Sequence, residues 1–123
     1  MRVLGGYLWP IESVVDRPEV PLSRWRLYEI SAAWSGAPTL HLVGWANETA
    51  QGQVSSPVHH VDPASRLCVT RSGRRYRLIG QPGHCDDAGF VWGAWKQLNG
   101  AQQERDLTDV LWLLLEGATT GGH

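Results

Sequence analysis

From residue 39 to residue 80 the chain is interrupted every few residues by turn formers, and no helix of ordinary length fits between them. What fits is a run of short strands. Residues 39–47 read as one strand, and the polar stretch 48–52 turns it. Residues 53–61 read as a second, with Pro57 inside it marking an edge or a bulge. Asp62-Pro63-Ala64-Ser65 has Asp and Pro in the first two places of a type I turn. Residues 66–71 and 74–80 are two more strands. Ser72-Gly73 lies between them as a two-residue hairpin loop in which Gly supplies positive φ.

That loop fixes an expected register. Arg71 faces Arg74, Val69 faces Tyr76 and Leu67 faces Leu78; on the other side Thr70 faces Arg75, Cys68 faces Arg77 and Arg66 faces Ile79. Alternation then turns Leu67, Val69, Tyr76 and Leu78 to the core. Arg66, Arg75 and Arg77 share the outer face, and Arg71 and Arg74 form the tip. Residues 63–85 hold these five arginines and no acid. Guanidinium groups on a hairpin suit phosphate, nucleic acid or an acidic protein surface. The competing reading is internal: residues 86–123 carry six acids against Lys96 and Arg105, and could neutralise the hairpin with weak surface pairs.

On either side of this unit the pattern changes. Residues 1–23 contain Pro10, Pro18 and Pro21 and read as irregular, with 3–9 as a short strand. Residues 23–34 are rich in Trp, Tyr, Leu and Ile and read as a strand. Past residue 85, Asp86 and Asp87 are helix-starting residues, Gly100 a terminator, and Val91, Trp95 and Leu98 fall at helical spacing, so 87–98 is expected to be a helix. Residues 101–105 read as a polar connection. In 106–116 the stripe Leu107, Val110, Leu111, Leu114, Leu115 favours helix over strand, with Asp106 as cap and Gly117 as stop. Residues 118–123 read as a frayed tail.

The sum is one α+β domain over residues 1–123: an antiparallel β-meander or half-open barrel of five to six strands with one or two covering helices. A net charge of −1 gives no global pull toward nucleic acid or anionic membrane. The run 110–115 is too short to span a bilayer, no signal peptide stands out, and Cys68 and Cys85 form no disulfide framework, so a cytoplasmic protein is expected.

Candidate chemistry is sparse. His59, His60, Cys68, His84 and Cys85 are metal-competent residue types, but Arg77 beside Cys68 and the unmatched spacing argue against a metal. His60 is expected to be partly buried and His84 to lie in a turn. No nucleophile elbow or phosphate loop is present, so no catalytic residue and no cofactor is assigned. Seven tryptophans at this length are expected mainly in the core, with one or two at a binding surface. In the helical reading of 107–115, Trp112 and Leu113 leave the element apolar nearly all round, which suggests either homodimerisation through it or a wholly internal core helix.

The segment 41–83, through its VSSPV, DPAS and TRSGRRYRL stretches, resembles small uncharacterised bacterial proteins of mobile elements, of the integron gene-cassette type. The resemblance implies an accessory role and transfers no activity. The expectation is therefore a small interaction protein that engages an acidic macromolecular surface through Arg66, Arg71, Arg74, Arg75 and Arg77. A small-molecule binder with a Trp-lined pocket is the alternative, and an enzyme is the remoter one.

Overall fold

The computed structural model describes residues 14–32 and 36–121. The strand expected at 3–9, Trp9, Trp34 and the last two residues lie outside them. The elements run β1 (Glu19–Ala32), β2 (Thr39–Ala46), β3 (Gln51–Val54), β4 (Val58–Asp62), β5 (Leu67–Thr70), β6 (Arg75–Ile79), α1 (Asp86–Leu98), β7 (Ala101–Asp106) and α2 (Thr108–Gly121). The fold is α+β, an open and mostly antiparallel mixed sheet of seven strands with two helices.

β1 organises the sheet. One of its edges pairs with β2, while the other is shared: residues 19–23 run parallel to β6 and residues 28–32 antiparallel to β7. So residues 19–23, expected to be irregular, are strand. Pro21 sits near the end of the β2 pairing, where its carbonyl accepts the Asn47 N–H at 3.1 Å. Residues 101–105, expected to be a connection, are strand, with Asp106 ending it, because the free edge of β1 supplies partners that their own composition does not demand. Midway, Arg24 adopts φ 50° and the register slips between Ser23 and Arg26. This bulge keeps Val20 and Leu22 before it, and Trp25 and Leu27 after it, in the same core.

The strand order is β3-β2-β1-β6-β5-β4. The segment expected as one strand over 53–61 is thus two strands at opposite edges, broken at Ser55-Ser56-Pro57. The link is short, so the sheet curls until its edges approach. Ser55 donates its N–H to Leu42 on one side, and Pro57 accepts that of Arg71 on the other. Of the expected meander, the consecutive antiparallel parts are β2-β3 and β4-β5-β6.

The curled inner face holds Val20, Leu22, Trp25, Leu27, Leu42, Cys68, Tyr76 and Leu78, closed by Leu111 and Leu115 of α2. A buried polar pair crosses it: Gln53 Nε2 donates to the Tyr76 hydroxyl at 2.7 Å. On the outer face α1 packs against β2 and β3, burying Ile30, Val43, Val54, Ala88, Val91, Trp92 and Trp95. Tyr28, Trp92 and Trp95 stack, with His41 beside Trp95.

Both helices form where expected. Cys85 is the N-cap of α1 with no side-chain cap bond, and Asp86 and Asp87 lie in the first turn rather than at the cap. Gly100 ends this stretch at φ 63°. Asp106 accepts the Thr108 N–H at 2.9 Å and so caps α2. Gly117 does not stop α2, which runs on to Gly121 through the expected tail. Its buried stripe is Leu111 and Leu115 with Leu107 and Trp112 half-buried, while Val110, Leu113 and Leu114 face out. Among the described residues no helix is long and apolar enough to cross a membrane.

His41 is fully buried. Its Nδ1–H donates to the Ser55 carbonyl at 2.8 Å, so Nε2 is the acceptor for the Thr39 hydroxyl at 2.8 Å. Burial holds this imidazole below the ordinary histidine value; the Ser55 bond opposes the shift and the charge of Arg71 adds to it. The native state keeps His41 neutral while the unfolded chain takes up its proton, so this contribution is present above about pH 6.5 and is lost as pH falls below it. Urea midpoints should fall from pH 7 toward pH 5, and the slope should flatten in His41→Asn; an unchanged slope in that variant would assign the effect elsewhere.

Candidate functional site

The site is the outer face of β4, β5 and β6 with the first half of β1. Its register differs by one residue from the sequence expectation. Leu67 faces Arg77, Cys68 faces Tyr76 and Val69 faces Arg75. The loop holds three residues, Arg71-Ser72-Gly73, because Thr70 pairs with Arg74: the Thr70 N–H donates to the Arg74 carbonyl at 3.0 Å. Gly73 at φ 92° closes it, the arrangement in which a type I turn precedes a left-handed residue. A slip of one residue exchanges the faces of one strand against the other. Tyr76 and Leu78 are core, as expected, but their β5 neighbours inside are Cys68 and Thr70. Leu67 and Val69 are turned outward and half-buried.

The five arginines separate. Arg66 precedes β5 at φ 60° instead of opening it. Its guanidinium donates to the carbonyls of Leu78 at 2.9 Å and Gly80 at 2.5 Å and lies 5.8 Å from the Trp112 ring centre. Arg74, expected at the tip, is buried, and its Nε donates to the Arg17 carbonyl at 3.0 Å. Arg75 and Arg77 stand on the outer face as expected, with 47% of each side chain exposed. Their acid is Glu19 of β1, at 3.7 and 2.7 Å. Of the acids of the C-terminal segment, Asp106 pairs with Arg26 at 2.6 Å and Glu104 with Lys96 at 2.6 Å. Burial pulls the Asp106 carboxyl up, yet the bonds from Thr108 and Arg26 keep it below the usual carboxylate range. Arg71 is exposed at the tip.

Reading across the face, His60 of β4 stands opposite Val69, then Arg75, then Glu19; Asp62 stands opposite Leu67, then Arg77, then Pro21. Ile79, 37% exposed, continues β6 beyond Arg77. His60 is exposed rather than partly buried, and a hydrogen bond from Ser65 holds the Asp62 carboxyl below its ordinary value. Among the described residues neither helix packs on this face, since α1 covers the β2–β3 side and α2 closes the inner one. The result is an open patch of Leu67, Val69 and Ile79 beside two guanidinium groups that share one carboxylate. Charge in the hairpin region stays positive: Arg66, Arg71, Arg75 and Arg77 stand against Glu19 and Asp62.

The metal-competent residues do not converge. Cys68 lies on the inner face, where burial pushes its thiol up to about 12, and His59 and His60 lie exposed on β4. His84 and Cys85 precede α1. Among the described residues no three His, Cys, Asp or Glu side chains cluster closely enough to hold a metal ion.

A polar cleft of about 650 Å³ lies between β1 and β7; its lining among the described residues is Glu29, Ile30, Ser31, Pro38, Gln103, Glu104 and Arg105, with no tryptophan among them. A second of about 320 Å³ beside the start of α1 includes Trp45 with Arg24 and Asp87. Trp25, Trp92 and Trp95 are buried in the two cores and Trp45 and Trp112 are half-buried. No protein-family model, curated protein or solved structure matches the chain.

Proposed function

We propose that the chain is a small interaction protein that engages an acidic macromolecular surface through the outer face of β4–β6. The observation that carries this is a patch that, among the described residues, neither helix covers. Leu67, Val69 and Ile79 give contact area that water has no reason to keep exposed, and Arg75 and Arg77 give charge-assisted, directional recognition of carboxylates. Arg71 at the tip extends the basic surface, whereas Arg66 and Arg74 hold the hairpin in shape. An accessory role of the kind found among mobile-element proteins in bacteria accompanies this reading.

Oligoglutamate is the simplest probe. Binding measured by titration calorimetry should weaken steeply as salt is raised. In Arg75→Glu/Arg77→Glu the affinity should fall by at least about tenfold, a loss of about 1.4 kcal/mol. Because that variant sets new carboxylates beside Glu19, Arg75→Gln/Arg77→Gln serves as the milder form. Unchanged affinity in both folded variants would refute the assignment of the site.

A further inference from the structure

Among the described residues, the two helices leave two unlike faces without a covering element. α2 turns Val110, Leu113 and Leu114 outward, 63%, 68% and 50% exposed. With Gly117 they follow the i, i+3, i+4, i+7 spacing of one helical face. Asp109 and Glu116, both exposed, lie along one edge of that stripe, and α2 carries no Lys or Arg. The outer sheet face has the inverse make-up: an apolar row of Leu67 and Val69 on β5, and on the adjacent strand Arg75 and Arg77. The seven-position separation of Asp109 and Glu116 spans roughly 10 Å of helix, and the two arginines lie roughly 7 Å apart along β6 with long side chains to make up the difference.

We infer that the partner of the outer sheet face is the α2 helix of a second copy of this chain. Its apolar stripe would lie on Leu67, Val69 and Ile79, and its acidic edge would meet Arg75 and Arg77. Within one molecule the two patches remain apart, because α2 is anchored over the inner face by Leu111, Leu115 and the Trp25–Trp112 contact. The contact joins two different patches. It is therefore heterologous: the helix of one copy meets the sheet of the next. This deepens the proposed function and rests on the outer face being a docking surface.

The test is charge exchange, read by sedimentation velocity over a rising concentration series. The wild-type chain is expected to self-associate and to dissociate in high salt. Arg75→Glu/Arg77→Glu loses the basic sheet face, and Asp109→Lys/Glu116→Lys loses the acidic helix edge, so each alone should be monomeric. Mixed in equal amounts they should associate again, since acidic helix meets basic sheet in one contact and basic helix meets acidic sheet in the other. If a charge variant fails to fold, Leu113→Asp places one carboxylate in the exposed stripe and should likewise give a monomer. A wild-type chain that stays monomeric, or association that survives all three variants, overturns the inference. A monomer that still binds oligoglutamate in an Arg75- and Arg77-dependent way would remove the self-partner alone; a monomer that does not would remove the docking surface as well.

Discussion

Gly52→Ala is expected to destabilise the fold by about 3 kcal/mol, although it adds only one methyl group. Gly52 lies on β3 directly under the first turn of α1. A Cβ there would stand 2.6 Å from the Ala88 nitrogen and the Asp87 carbonyl carbon, and 2.7 Å from the Ala88 Cα. These are backbone atoms of a helix and cannot rotate aside, so the helix must lift or β3 must leave the sheet. Either movement opens the core formed by Val54, Ala88, Val91, Trp92 and Trp95. Urea unfolding and the near-ultraviolet signal of the stacked tryptophans should both report the loss. Gly93→Ala is the control: a Cβ there meets nothing within 4 Å, so the helix should gain up to about 1 kcal/mol. A Gly52→Ala variant as stable as the wild type would mean that α1 does not sit on β3 as described.

Trp25→Ala should cost more, about 4 kcal/mol, the range for removing a fully buried large aromatic side chain. Trp25 fills the inner core between β1 and α2. Its ring centre lies 6.3 Å from that of Trp112, and its Nε1–H points at the Gly80 carbonyl at 3.4 Å. Without it α2 keeps Leu111 and Leu115 over an emptied site, together with the bonds that tie its start to Leu27: the Thr108 hydroxyl accepts the Leu27 N–H at 3.0 Å, and the Leu107 N–H donates to the Leu27 carbonyl at 2.8 Å. Amide exchange should therefore rise along α2 before it rises in α1. Equal acceleration in both helices would show that the two cores unfold as one unit.

Much of this architecture was legible in the residues. The spacing of Leu111 and Leu115 and the Asp106 cap mark α2, and Asp86, Asp87 and Gly100 bracket α1. The aromatic alternation of residues 23–34 marks the central strand. Three features escaped for physical reasons. β7, with the sequence AQQERD, has no apolar signal because its pairing is imposed by the free edge of β1. Pro57 announced a disruption, but local sequence does not say that its two sides belong to opposite edges of a curled sheet. The hairpin register depended on whether Arg71 belongs to strand or loop, and one residue there decides which face carries Leu67 and Val69. Placing those two inside followed their hydrophobicity. The structure instead seals Cys68 and Thr70 inside, where the Thr70 hydroxyl donates to the Arg74 carbonyl at 3.1 Å. The apolar side chains left outside are the part of the hairpin that simple core-forming logic does not explain, and with Arg75 and Arg77 they make the candidate site.

The most direct measurement is an amide-shift map of the isotope-labelled chain titrated with oligoglutamate. Shifts should concentrate on Leu67, Val69, Arg71, Arg75, Arg77 and Ile79. Shifts centred on the β1–β7 cleft at Glu29, Gln103 and Arg105, or no shifts at all, would contradict the proposed site.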